Sequence, residues 1–232
     1  MHFALLLVLA AAPDASRSWR FDTNGHPEVS VSNVNGSIRV EATDDKTLSV
    51  EMTQEGSDEE RARTPVEVKQ DGDEVWVGLS CGLKKSHKGC HNPAPTHFVV
   101  KVPRDSELDV SSVNAPVKVS GVRGDQEVAS VNGDITLEGS RGKLDVSSVN
   151  SAVMLVPEAL ARTEVSTVSG PVKLKLPRGA GAQVEFSSVG GRFNGRSVSL
   201  GSVEQRYGNG EHAVEVSTVS GALDIQGDEA AP

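Results

Sequence analysis

From Leu108 to Gln226 apolar and polar residues alternate in short bursts, and each burst repeats nearly the same pattern. Val128-Ala-Ser-Val-Asn-Gly-Asp-Ile-Thr-Leu137 is the clearest copy. Val31-Ser-Asn-Val-Asn-Gly-Ser-Ile38, Val110-Ser-Ser-Val-Asn-Ala-Pro-Val117 and Val146-Ser-Ser-Val-Asn-Ser-Ala-Val153 repeat it. So do Val165-Ser-Thr-Val-Ser-Gly-Pro-Val172, Phe186-Ser-Ser-Val-Gly-Gly-Arg-Phe193 and Val216-Ser-Thr-Val-Ser-Gly-Ala-Leu223. From Val110 onward the copies start 18, 18, 19, 21 and 30 residues apart. A period near 20 residues predicts a stack of similar coils.

Each copy holds two strands around a corner. After the corner Ile135 and Leu137 alternate with Asp134, Thr136 and Glu138, and Val172 and Leu174 flank Lys173. Before it Leu144, Val146 and Ser148 share one side, while Val149 falls one place out of phase. Period two means one buried and one wet face, and the repeated slip in phase marks a bend. Asn132-Gly133 and Asn35-Gly36 would suit hairpins, but the equivalent corners read Asn114-Ala-Pro116 and Asn150-Ser-Ala152. Ala resists the positive φ that a two-residue hairpin demands, so the corners read as arcs. The expectation is an all-β, right-handed parallel β-helix, a β-solenoid of coils about 18–21 residues long. Ser112, Ser130, Ser148, Thr167, Ser188 and Thr218 would then stack about 4.8 Å apart and donate one to the next. Asn114, Asn132 and Asn150 would form a similar ladder.

Residues 1–15 read as a signal peptide, because the apolar run Phe3–Ala12 is too short to span a bilayer and leads into small residues. The expected organisation is one solenoid domain over residues 16–227, interrupted by a loop at 81–97, with a polar tail at 228–232. Leu48-Ser-Val50-Glu-Met52 reads as the start of another coil, Glu55–Arg63 as a short helix or, in preference, a solvated charged loop, and Val66–Val77 as a hairpin or two coils. Asp71, Asp73 and Glu74 lack the ligand spacing of a calcium loop and read as a turn. Gly190–Ser197 and the long interval before Val216 predict an expanded loop or hairpin near Tyr207.

The chemical oddity is the segment from Cys81 to His97, with the chain's two cysteines and with His87, His91 and His97. Outside the cytoplasm a Cys81–Cys90 disulfide is expected; zinc or copper held by these cysteines and histidines is the alternative. Arg123-Gly-Asp125 matches a tripeptide that integrins recognise, yet Gly-Asp also suits a corner.

The run His97-Phe-Val-Val-Lys-Val-Pro103, then Leu108-Asp-Val110, the Val-x-Ser/Thr-Val-x-Gly units, and Tyr207-Gly-Asn-Gly210 before Val214 together resemble the bacterial DUF4097 family of β-strand-repeat, adhesin-like proteins. The resemblance runs from about Val29 to Gln226. It implies a β-helical extracytoplasmic protein and offers no catalytic residues to carry over.

The formal net charge of −9 argues against nucleic acid and anionic lipid as partners. No acid/base or nucleophile constellation can be assembled. The expected function is therefore a non-catalytic envelope module, structural or adhesin-like, with no cofactor and no membrane span. Its partner would be a surface, a glycan or a protein, and uncapped solenoid ends would permit end-to-end self-association. Two alternatives stay open: metal or redox handling at the Cys81–His97 loop, and a polysaccharide-active β-helix enzyme, which a deep acidic groove would favour.

Overall fold

The computed structural model describes residues 15–80 and 92–227. The N-terminal part contains β1 (Ala15–Asp22), β2 (Glu28–Asn33), β3 (Gly36–Thr43), β4 (Thr47–Gln54), the helix α1 (Asp58–Ala62), β5 (Val66–Asp71), β6 (Glu74–Leu79) and β7 (Thr96–Pro103). Next come β8 (Glu107–Ser112), β9 (Val117–Ser120), β10 (Gln126–Ser130), β11 (Ile135–Glu138), β12 (Leu144–Asn150), β13 (Val153–Val156), β14 (Thr163–Ser169) and β15 (Pro171–Lys175). The chain ends with β16 (Ala182–Phe193), β17 (Arg196–Tyr207), β18 (His212–Thr218) and β19 (Ala222–Gln226).

The alternation does what period two requires. Val110, Val128, Val146 and Val165 point inward from one ladder of strands, and Val117, Ile135, Val153 and Val172 from the other; each is at most 1% exposed. Between the two ladders lies one continuous apolar core. At this packing each buried Val or Leu stabilises the fold by roughly 1.5–3 kcal/mol. The corners are arcs, as Ala115 implied: β8, β10, β12 and β14 pair in parallel, and β9, β11, β13 and β15 do likewise. A Cβ on Gly133 would lie 2.1 Å from the Ala115 carbonyl oxygen, so close stacking of corners demands glycine there.

The ends depart from a uniform parallel coil. At one end β2/β3 lies between the β6/β7 rung and the β8/β9 rung. At the other end β18/β19 lies between β14/β15 and β16. The outermost pair of rungs is thus exchanged in order at both ends. Antiparallel strands finish the stack: β5 on β6, β4 on β7, β1 on β4, and β17 on β16. The sheet is therefore mixed. Leu48–Met52 belongs to the antiparallel β4 and does not open a coil.

Asn194-Gly195 explains the long interval before Val216. Both residues have positive φ, 45° and 78°, so here Asn-Gly does make a two-residue hairpin, joining β16 to β17. Gly133 has no positive φ, and the same dipeptide at 132–133 turns the chain from one ladder to the other. Asp58–Ala62 forms one helical turn where a loop was expected. The reason is local: Ser57 and Glu60 make a reciprocal capping box.

Candidate functional site

The phase slip at each corner turns one valine outward. Val113, Val131, Val149, Val168, Val219 and Val189 form a row on neighbouring rungs, and all are exposed, from 38% at Val149 to 54% at Val189. Leu200 of β17, opposite Val189, continues the row; it is 83% exposed with φ 49°, a strained conformation for a bulky residue. Two residues earlier on each parallel strand, and two later on the antiparallel β17, stand in register Ser111, Ala129, Ser147, Ser166, Ser217, Ser187 and Ser202. The valine row and this serine row wall a straight groove of about 1030 Å³. It spans seven strands, which at the usual strand spacing is about 29 Å.

The hydroxyls expected to stack lie buried beneath the groove, in the order Ser112, Ser130, Ser148, Thr167, Thr218 and Ser188. Thr218 precedes Ser188 because of the rung exchange. They do not donate in one unbroken chain. Ser148 Oγ donates to Thr167 Oγ1 at 2.9 Å, whereas Ser130 Oγ donates at 2.7 Å to the Gly133 carbonyl and accepts from the Gly133 N–H. Most of these hydroxyls fasten the corner that follows them. The asparagine ladder does form: Asn132 donates to Asn114 at 2.9 Å and Asn150 to Asn132 at 3.3 Å. Asn35 and Ser169 extend it at either end.

Beyond the serine row runs a third. Asp109, Glu127, Asp145, Glu164, Glu215, Glu185 and Glu204 occupy seven adjacent strands in register on the same outward face. Arg162 pairs with Glu164 at 2.5 Å and with Glu215 at 3.8 Å, and Lys143 with Asp145 at 3.9 Å. Among the described residues the other four carboxylates of the row have no ion-pair partner within 4 Å. The acids continue into a smaller concavity of about 290 Å³ between Glu28 and Asp145. Along the row the carboxylates stand side by side on one sheet face.

The remaining candidates are distributed differently. Cys81, Cys90, His87 and His91 lie outside the described residues, and with them the expected disulfide. His97 is described, and both its ring nitrogens are engaged: Nδ1 with Ser37 Oγ and Nε2 with Glu55 Oε1, each at 2.9 Å. Among the described residues no group of three His, Cys, Asp or Glu side chains is placed to hold a metal ion. Arg123 and Asp125 serve the corners. Arg123 approaches Glu158 at 3.6 Å, and Asp125 accepts from the Lys143 backbone N–H at 2.8 Å. Glu158 also accepts from Arg141 at 2.6 Å, and that bond holds its carboxyl below the usual carboxylate range. Asp73, read as a turn residue, accepts from the backbone and side chain of Asn24. No described helix is long and apolar enough to cross a membrane.

Residues 106–226 match the family Toastrack DUF4097. Among solved structures the chain is similar to a candidate cell adhesion protein from Clostridium sporogenes, with 13% identity over 93% of this chain and 100% of that one and a TM-score of 0.48. A candidate adhesin from Bacteroides fragilis shares 10% identity over 92% of this chain and 97% of its own, with a TM-score of 0.41. A candidate lipid-binding protein from Parabacteroides distasonis gives 10%, 92%, 97% and 0.37. No curated protein matches the chain.

Proposed function

The chain belongs to the Toastrack DUF4097 family, and we propose that it is an exported, non-catalytic binding module whose ligand lies along the valine–serine groove. The observation that carries this reading is the outward row of valines. Six valines and a leucine exposed in one line over about 29 Å make a contiguous apolar strip, and strips of that kind mark interaction surfaces. Export follows from reading residues 1–15 as a signal peptide, and the winding is right-handed by the general rule for parallel crossovers.

A neutral apolar dye tests the groove without electrostatic bias. Nile red fluorescence should rise and shift to the blue with the wild-type protein. It should fall at least several-fold in Val149→Asp/Val168→Asp, whose far-ultraviolet circular dichroism should be unchanged because both side chains are exposed. A wild-type protein that leaves the dye dark would sink the groove as a binding surface.

A further inference from the structure

We propose that the groove's occupant is a cationic amphipathic helix, with its apolar face on the valine wall and its basic residues along the carboxylate row from Asp109 to Glu204. This rests on the groove being a binding surface, and it adds the chemistry of the partner. The first argument is charge complementarity. Seven carboxylates stand in register at about 4.8 Å intervals, and like charges directly opposite on neighbouring strands destabilise a sheet. Three cations, Lys143, Arg162 and Arg206, stand two residues from acids of the row, against seven carboxylates, so the margin of the groove stays negative. The one charged residue lining the groove, Glu185, belongs to that same row. An anionic margin beside a neutral apolar wall fits a partner that carries both basic and apolar side chains in parallel strips.

The second argument is register. A helix returns a residue to the same face about every 5.4 Å, and a strand about every 6.7 Å, against a rung spacing of about 4.8 Å. Over six intervals the helix drifts about 4 Å from the carboxylates, which a lysine side chain can absorb, whereas a strand drifts about 11 Å. The full groove accommodates about 19 helical residues. Helix-in-groove recognition uses this kind of apolar strip.

The test is titration of the full mature protein with three designed 18-residue peptides that share one leucine face and carry lysine, glutamine or glutamate on the other. Titrations run at 25 and 300 mM sodium chloride. The lysine peptide should bind at least ten-fold tighter than the glutamine peptide at low salt, and the gap should shrink at high salt. The glutamate peptide should not bind. Glu127→Gln/Glu185→Gln should weaken the lysine peptide several-fold while raising the low-salt melting temperature, because each removed charge relieves its neighbours. A purely structural row would lose stability instead. Val149→Ser/Val168→Ser should weaken the lysine and glutamine peptides alike.

Equal affinity for the lysine and glutamine peptides overturns the proposal. So does polylysine binding as tightly as the amphipathic peptide, since that is polyelectrolyte attraction only. Dye binding without lysine-peptide binding leaves the groove standing and removes the cationic helix as its occupant. Failure of both removes the groove reading as well.

Discussion

The middle of the stack and its two ends are built from the same repeat and obey different rules. In the middle, β8 to β15, rungs that are consecutive in sequence pair with one another, residue for residue. At the ends the last two rungs are exchanged and antiparallel strands close the ladders. The repeat specifies a rung's cross-section: which side chains point in, and where the corner falls. It does not specify the neighbour, because every rung offers the same row of backbone groups at both edges. The connections decide that. The tight Asn194-Gly195 hairpin carries the chain back over β16, so the next rung must enter on the other side of β16, beside β14.

If the ends belong to the same cooperative unit as the middle, a core truncation in either should weaken the whole molecule. Phe186, fully buried in the exchanged rung and 5.8 Å from Phe193 between ring centres, is the sharpest probe. Phe186→Ala should cost about 3–5 kcal/mol, and Leu155→Ala in a middle rung about 2–5 kcal/mol, both read by urea denaturation. Two separate transitions in the phenylalanine variant would show that the end unfolds on its own. A smaller break is Asn132→Ala, which removes the centre of the asparagine ladder. It should cost about 1 kcal/mol, chiefly in faster hydrogen exchange at the corners of β10 and β12. No change in exchange would mean the ladder only decorates the corners.

The smallest effect concerns the link between rungs at Glu158. Its folded carboxyl is held low by the hydrogen bond from Arg141, with the charges of Arg141 and Arg123 adding to it. Stability from this link is complete above the ordinary carboxylate range and is lost as the pH falls through the lowered folded value. Nuclear magnetic resonance titration should find the Glu158 carboxyl moving back up in Arg141→Met. An unmoved titration curve would assign the lowering to something other than Arg141.

The middle rungs were legible because burial, alternation and period agree there. Ala115 alone was enough to rule the hairpin out at its corner, and Asn114, Asn132 and Asn150 announced their ladder by spacing. The rung exchange was not legible, since Thr218 and Ser188 occupy equivalent positions and nothing local orders them. The groove was half-read. Val149 signalled a bend through its phase, but a valine out of phase also has to point somewhere, and the six copies together make an apolar wall. The acidic row was visible only as alternating outward residues; the register between distant strands turns it into a line. Ser57 and Glu60 stood three apart before a helix, the capping-box spacing, and the surrounding charges masked it.

The exchanged order also bears on mechanical load. A terminal strand at the edge of a sheet peels away one hydrogen bond at a time. β18 has no such route, because β14 holds one side of it and β16 the other. Tension applied through the C-terminal strands must shear two ladders together before the first rung leaves the stack. At the opposite end, among the described residues, β1 pairs with β4 alone, so tension through the N-terminal strands would begin by peeling. The stack is thus held differently at its two ends, by two ladders at β18 and by one at β1.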